Sequence, residues 1–138
     1  VAHFACFSLV SPASGSHSVV VTTTDAIGDS AIAAVPMSGV NVSSPVGTAV
    51  GANDLTGASG TASVTVSSNT SSLVMSAVFV IDDPTVTLGG GQTSVIHVVD
   101  PVAPGGLTVS SQVGSTTVSP SYTFSNNTWQ CGGQGINS

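Results

Sequence analysis

A chain of 138 residues fits one domain, and its 41% hydrophobic residues suffice for a core that Val, Ala, Leu and Ile must fill, since aromatics are only 4%. There is no Lys or Arg, all six acids are Asp, and the net charge is −6. Phosphate backbones and anionic membrane surfaces would meet no cationic side chain, which argues against nucleic-acid and electrostatic membrane binding, and no internal ion pair to Lys or Arg can form.

Val, Thr and Ser dominate, 16 Gly and seven Pro supply turns, and no window holds a helical period. Val1 to Leu9 (VAHFACFSL) is an apolar segment read as a first strand, followed by a turn at Ser11 to Ser16. His17 to Thr24 sets His17, Val19 and Val21 against Ser18, Val20 and Thr22, which predicts a second strand. Asp25 to Asp29 reads as a hairpin connection, and Ser30 to Met37 as a third strand in which Pro36 marks an edge or a bulge. Ser38 to Gly60 is rich in Gly, Ser, Pro and Asn, with one short strand around Thr48 to Val50.

The clearest stretch is Thr61 to Val99. Ala62, Val64 and Val66 alternate with polar residues, Leu73 to Ile81 is nearly all apolar, and Gln92 to Val99 alternates again. The pattern predicts successive strands of one antiparallel sheet, the middle one buried on both faces, with Gly89-Gly90-Gly91 as a hairpin turn. A loop at Asp100 to Gly106, a short strand at Leu107 to Ser110, and strands within Thr116 to Phe124 and Thr128 to Ile136 complete the chain. The expectation is an all-β antiparallel β-sandwich of about eight to ten strands, occupying residues 1–138 as a single domain. Leu73 to Ile81, the longest apolar run, is too short to cross a bilayer as a helix. No secretory signal is present, so the chain as given is read as mature.

Cys6 and Cys131 lie near opposite ends. In an oxidising compartment they pair plausibly, which would stabilise by roughly 4–5 kcal/mol through loop closure; two buried thiols are the other possibility. Asn41, Asn69 and Asn126 head Asn-x-Ser/Thr sequons in predicted turns. Glycans there, or on Ser and Thr hydroxyls, would help a chain of so little charge stay soluble.

Catalysis finds little material. No Glu exists, and the adjacent pair Asp82-Asp83 stands before Pro84 as a turn whose carboxylates cap backbone N–H groups. Asp25, Asp29, Asp82 and Asp83, with Asp100, sit in loops that could cluster at one end of a sandwich as oxygen ligands for Ca²⁺; solvated turn aspartates are the simpler alternative. His3, His17 and His97 lack zinc-ligand spacing. Trp129 and Tyr122 could stack on a sugar ring, but the only Trp of an aromatic-poor chain is better placed plugging the core beside Cys131.

From Ser11 onward the motifs run in the order of a known module. Pro12 to Val21 resembles a "PxGxxxVxV" strand opening, and Ala34 to Val40 resembles "AxxFSGV". Pro45 to Thr48 follows, then Thr65 to Ser67 with Leu73 to Met75, resembling "VTVTS…LVV". Gly90 to Thr93 resembles "GxGQT", and Tyr122 to Ile136 resembles "xWxxSxxxxW…I". Over about 125 residues the chain resembles the jelly-roll-like β-sandwich module of large secreted or surface bacterial proteins and of some virion proteins. Such modules lack an assigned active site and serve as structural or adhesive repeats, and no cofactor is expected here beyond the Ca²⁺ weighed above. They carry further strands before the point matching Val1, and they usually contain some Lys and Arg.

Against the resemblance, the chain reads either as a fragment or as a sandwich whose gap a neighbouring subunit fills; the second reading is preferred, for an extracellular, non-enzymatic protein. The expected partners are copies of itself, joined by β-strand addition with Val1 to Leu9 as the exchanged strand, in a filament, sheath or surface layer. The alternative is a carbohydrate-binding adhesion module or a virion decoration domain.

Overall fold

Strand-forming runs of Val, Thr and Ser close into two antiparallel layers. The computed structural model describes residues 5–24, 31–82, 85–99 and 105–138, and among these there is no helix. The described residues form ten strands: β1 (Val50–Asp54), β2 (Thr61–Ser63), β3 (Val66–Ser67), β4 (Leu73–Ile81), β5 (Thr87–Leu88), β6 (Gln92–Val99), β7 (Gly105–Val113), β8 (Thr117–Val118), β9 (Ser121–Thr123) and β10 (Trp129–Ile136).

The first layer is a five-stranded sheet in the order β1-β10-β4-β7-β6. The second is thinner. β2 pairs with β9 and β3 with β8, and β5 adds to the far side of β9. Pro120 breaks the ladder between β8 and β9, yet its carbonyl accepts from Val64 N–H at 3.4 Å and from Ser63 Oγ at 3.0 Å, so the two long arms stay in register.

Alternation along β4 buries its inner face fully and its outer face in part. Val74, Val78 and Val80 face the second layer, where they join Ala62, Val64, Val66, Val118, Tyr122, Phe124, Trp129 and Cys131 in the main core. Ala77 points the other way and forms a second cluster with Leu107 and Val109. Burial of apolar area in the first cluster is the main force holding the layers together.

Glycine on β10 sets how close the layers come. A Cβ on Gly133 would lie 2.9 Å from Val66 Cγ2 and 3.1 Å from Val64 Cγ2. Gly91, with φ of 79°, makes the turn after β5.

Several expectations change. The strands of Thr61 to Val99 are not neighbours in one sheet: β2 and β3 lie in the second layer, and β7 inserts between β4 and β6. The Gly89-Gly90-Gly91 turn is consequently no hairpin, because it carries the chain from β5 in one layer to β6 in the other. Hydrogen-bond partners, which local alternation does not encode, decide these placements.

The N-terminal strands are also corrected. Residues 5–9 and 17–24 are exposed and carry no strand; residues 1–4, and with them the start of the expected Val1 to Leu9 strand, lie outside the described residues. Residues 31–35 form no strand either. They run extended on the outer face of the large sheet, with Ala31, Ala33 and Val35 packed on the second cluster and Ile32 55% exposed, so their alternation is satisfied by side-chain packing without a ladder.

Gly133→Val should place its methyl groups into Val64 and Val66 and lower stability by about 1–3 kcal/mol, read as a fall in the urea midpoint with the slope unchanged.

Candidate functional site

The most elaborate chemistry in the fold is a buried cluster of hydroxyls between the layers. Ser76 on β4 and Ser110 on β7 are register partners facing inward, and Tyr122 on β9 reaches across from the second layer. Ser76 Oγ lies 2.7 Å from Tyr122 Oη and 3.0 Å from Ser110 Oγ, and Ser110 Oγ lies 2.9 Å from Tyr122 Oη. Three hydroxyls in a ring let each donate one bond and accept another.

Gln92, at the start of β6, completes the network. Its Nε2 donates to Ser110 Oγ at 2.8 Å, and its Oε1 accepts the N–H groups of Ser121 at 2.8 Å and Gly89 at 3.1 Å. One side chain thus ties the crossing turn, the second layer and the first layer together. Burial raises the Tyr122 phenol above its ordinary range, outweighing the bonds from Ser110 and Ser76.

The groups bonded to Ser110 are a phenol, a serine hydroxyl and an amide, and none of them takes up a proton at neutral pH. The cluster therefore holds geometry and has no base to activate a nucleophile. On the same face, His97 Nδ1 lies 2.9 Å from Thr108 Oγ1 and satisfies that buried hydroxyl.

The residues singled out in the sequence separate. Tyr122 is fully buried and Trp129 is 7% exposed, Trp129 meeting Phe124 edge-on with ring centroids 6.5 Å apart. Both belong to the core, so neither offers a face to a sugar. Trp129 Nε1 and Gln112 Oε1 are buried without a hydrogen-bond partner.

The expected Cys6–Cys131 disulfide is not formed, and both residues are free thiols. Cys131 faces the core from β10, whereas Cys6 lies in the exposed segment that precedes the sandwich. Burial pushes the Cys131 thiol up to about 11.

Of the proposed Ca²⁺ ligands, Asp25, Asp29 and Asp83, like Asp100, lie outside the described residues, as does His3. Asp82 sits in the turn after β4 with φ of 60°. Among the described residues no three His, Cys, Asp or Glu side chains come together as a metal site. Asp54, which sequence reasoning did not single out, caps its own turn. Its Oδ1 accepts Thr56 Oγ1 at 2.6 Å and Thr56 N–H at 2.8 Å, its Oδ2 accepts Ser59 N–H at 2.9 Å, and the Thr56 hydroxyl leads in holding its carboxyl below the ordinary range.

All three sequon asparagines are exposed in turns or loops. Asn41 Oδ1 and Asn69 Oδ1 each accept the N–H of the sequon serine, Ser43 and Ser71, at 2.9 Å. Both flank a shallow depression of about 500 Å³ lined by Met37, Val40, Leu73, Val113 and Ile136, with Ser, Thr and Asn groups at its rim and no ionisable side chain in its lining.

Comparison with protein families, curated proteins and solved structures finds no match to this chain.

Ser110→Ala strands Gln92 Nε2 and should cost about 1–3 kcal/mol, whereas Tyr122→Phe leaves the two serines bonded to each other and should cost about 0.5–1.5 kcal/mol; chemical denaturation orders the two. A thiol reagent should label Cys6 at once and Cys131 only on unfolding. The unfolded Cys131 thiol ionises near 9 and the folded one near 11, so its contribution is intact below pH 9 and lost as pH rises from 9 to 11. In Cys131→Ala the loss should begin only in the phenol range above pH 10, as measured by thermal melts against pH.

Proposed function

We propose that the chain is a non-enzymatic structural subunit of an extracellular filament, sheath or surface layer, assembling with copies of itself by β-strand complementation. The observation that carries this is an apolar N-terminal segment left in solvent. Within residues 5–24, Phe7 is 85% exposed and Leu9 81%, while Val19, Val20 and Val21 are 67%, 79% and 52% exposed. Covering Phe7 and Leu9 alone would be worth roughly 1.5–3 kcal/mol each. Contiguous apolar exposure of this kind marks a binding surface.

The charge pattern supports the same function. No Lys, Arg or Glu is present to repel an incoming strand or guard an edge, and low charge permits close packing of identical copies. The buried polar groups are spent on joining the two layers, as expected of a scaffold. Glycans on Asn41, Asn69 or Asn126 would supply the solubility that charge does not. A carbohydrate-binding adhesion module or virion decoration domain is the alternative; it loses its two stacking candidates, since Tyr122 and Trp129 are core residues.

Negative-stain electron microscopy of the full chain should reveal regular polymers, and removal of residues 1–24 should reduce them to single particles that keep the β-rich circular dichroism spectrum. Dispersed monomers from the full chain at about 100 μM would rule the proposal out.

A further inference from the structure

The second layer is three strands wide against the five of the first, and it stops short of β1. β5 lies against β6 at one side of the sandwich, while β2 meets β1 and β10 at the other. The second layer ends at β2–β3, and the inward side chains of β1 beyond it, Val50 and Ala52, are only half-buried. Along that margin, Val64 and Ser68 donate their N–H groups to Pro120 and Thr116 in the neighbouring arm. Strand alternation then turns the N–H groups of Ser63, Thr65 and Ser67 to the open side.

Residues 17–24 have the properties this margin lacks. They are eight residues against the seven of 61–67, they hold no Asp, Glu, Lys or Arg, and every one of them is exposed. Val19 and Val21 share one side of an extended chain, so a strand placed beside β2–β3 would lay both over Val50 and Ala52 and leave Ser18, Val20 and Thr22 to solvent.

We propose that residues 17–24 of a second copy add as a strand to the open margin of 61–67; this rests on the self-assembly proposed above and names its donor and its acceptor. The tether favours a second copy over the same chain. Residues 31–35 are fixed on the opposite face of the large sheet, over Ala77, Leu107 and Val109. Passing from there around β1 to the margin means crossing two to three strand spacings of about 4.8 Å and a layer spacing of about 10 Å. The seven Cα steps from Thr24 to Ala31 span at most about 25 Å, so a same-chain strand would need nearly the whole reach of its linker. A neighbouring copy has no such restraint.

Disulfide trapping between differently tagged full-length copies tests this in a Cys6→Ser background. One copy carries Val20→Cys and the other Ser63→Cys or Thr65→Cys, all on the outward side of the proposed pair. A disulfide-linked heterodimer should dominate for at least one pairing. It should fall at least tenfold when Thr65→Pro is added to the Ser63→Cys copy, a change tolerated on an open edge but not beneath an added strand. It should fall equally when the second cysteine is placed at Val113, which is 74% exposed but off the margin. No heterodimer, equal trapping at Val113, or a monomeric internal disulfide in the Val20→Cys/Thr65→Cys double variant would each overturn the proposal. Heterodimer trapping from particles that form only closed dimers in micrographs would keep the strand contact and remove the filament. Regular polymers without trapping would do the reverse.

Discussion

The position of one layer over the other depends on a tyrosine hydroxyl held between two serines. Tyr122 Oη meets Ser76 on β4 and Ser110 on β7, while Gln92 fastens Ser110 to the turn that leads from the second layer to the first. Apolar contact drives the two sheets together without fixing how they slide, since valine on valine is nearly as good one step along. The polar ring is satisfied in one arrangement only. Any shift would leave hydroxyls and an amide unpaired in a dry interior, at a cost larger than any of their bonds contributes in place.

That anchor works because the backbone allows close approach. Gly133 on β10 leaves room for Val64 and Val66, so a core built from valine and alanine closes although large side chains are few. Trp129 and Phe124 fill the end near the start of β10. The same economy of side chains leaves the second layer short beside β1, and makes the exposed N-terminal segment a natural completion.

Much of the first layer was legible in the sequence. Leu73 to Ile81 and Gln92 to Val99 match β4 and β6; the uniform apolar character of the former predicts burial on both faces, and β4 is buried on its inner face but on its outer face fully only at Ala77. The order of strands was not legible, because period-two alternation specifies a face and says nothing about a neighbour. The N-terminal segments make the same point from the other side. His17 to Thr24 has as good a strand pattern as Thr61 to Ser67, yet only the latter joins a ladder, and β propensity alone leaves an exposed chain. The hydroxyl cluster was invisible for a related reason: Ser76 and Ser110 are scattered among many serines, and only the register brings them together beneath Tyr122, the single tyrosine.

Residues 41–45 and Asn137 meet at one corner. Asn41 N–H donates to the Asn137 carbonyl, Asn137 N–H to the Pro45 carbonyl, and Asn137 Nδ2 to the Ser44 carbonyl. From that corner the chain runs alongside β10 in the opposite direction, through the Val46–Ile136 bridge and into β1. Tension applied between residues 41 and 137 would therefore load the ladder one rung at a time, as a zip is opened, and never stretch all its bonds together. A sandwich held at this corner would hang as a side branch on a load-bearing line, yielding early and re-closing when the pull relaxes, while a contact along the margin of the second layer would bear force from a separate direction.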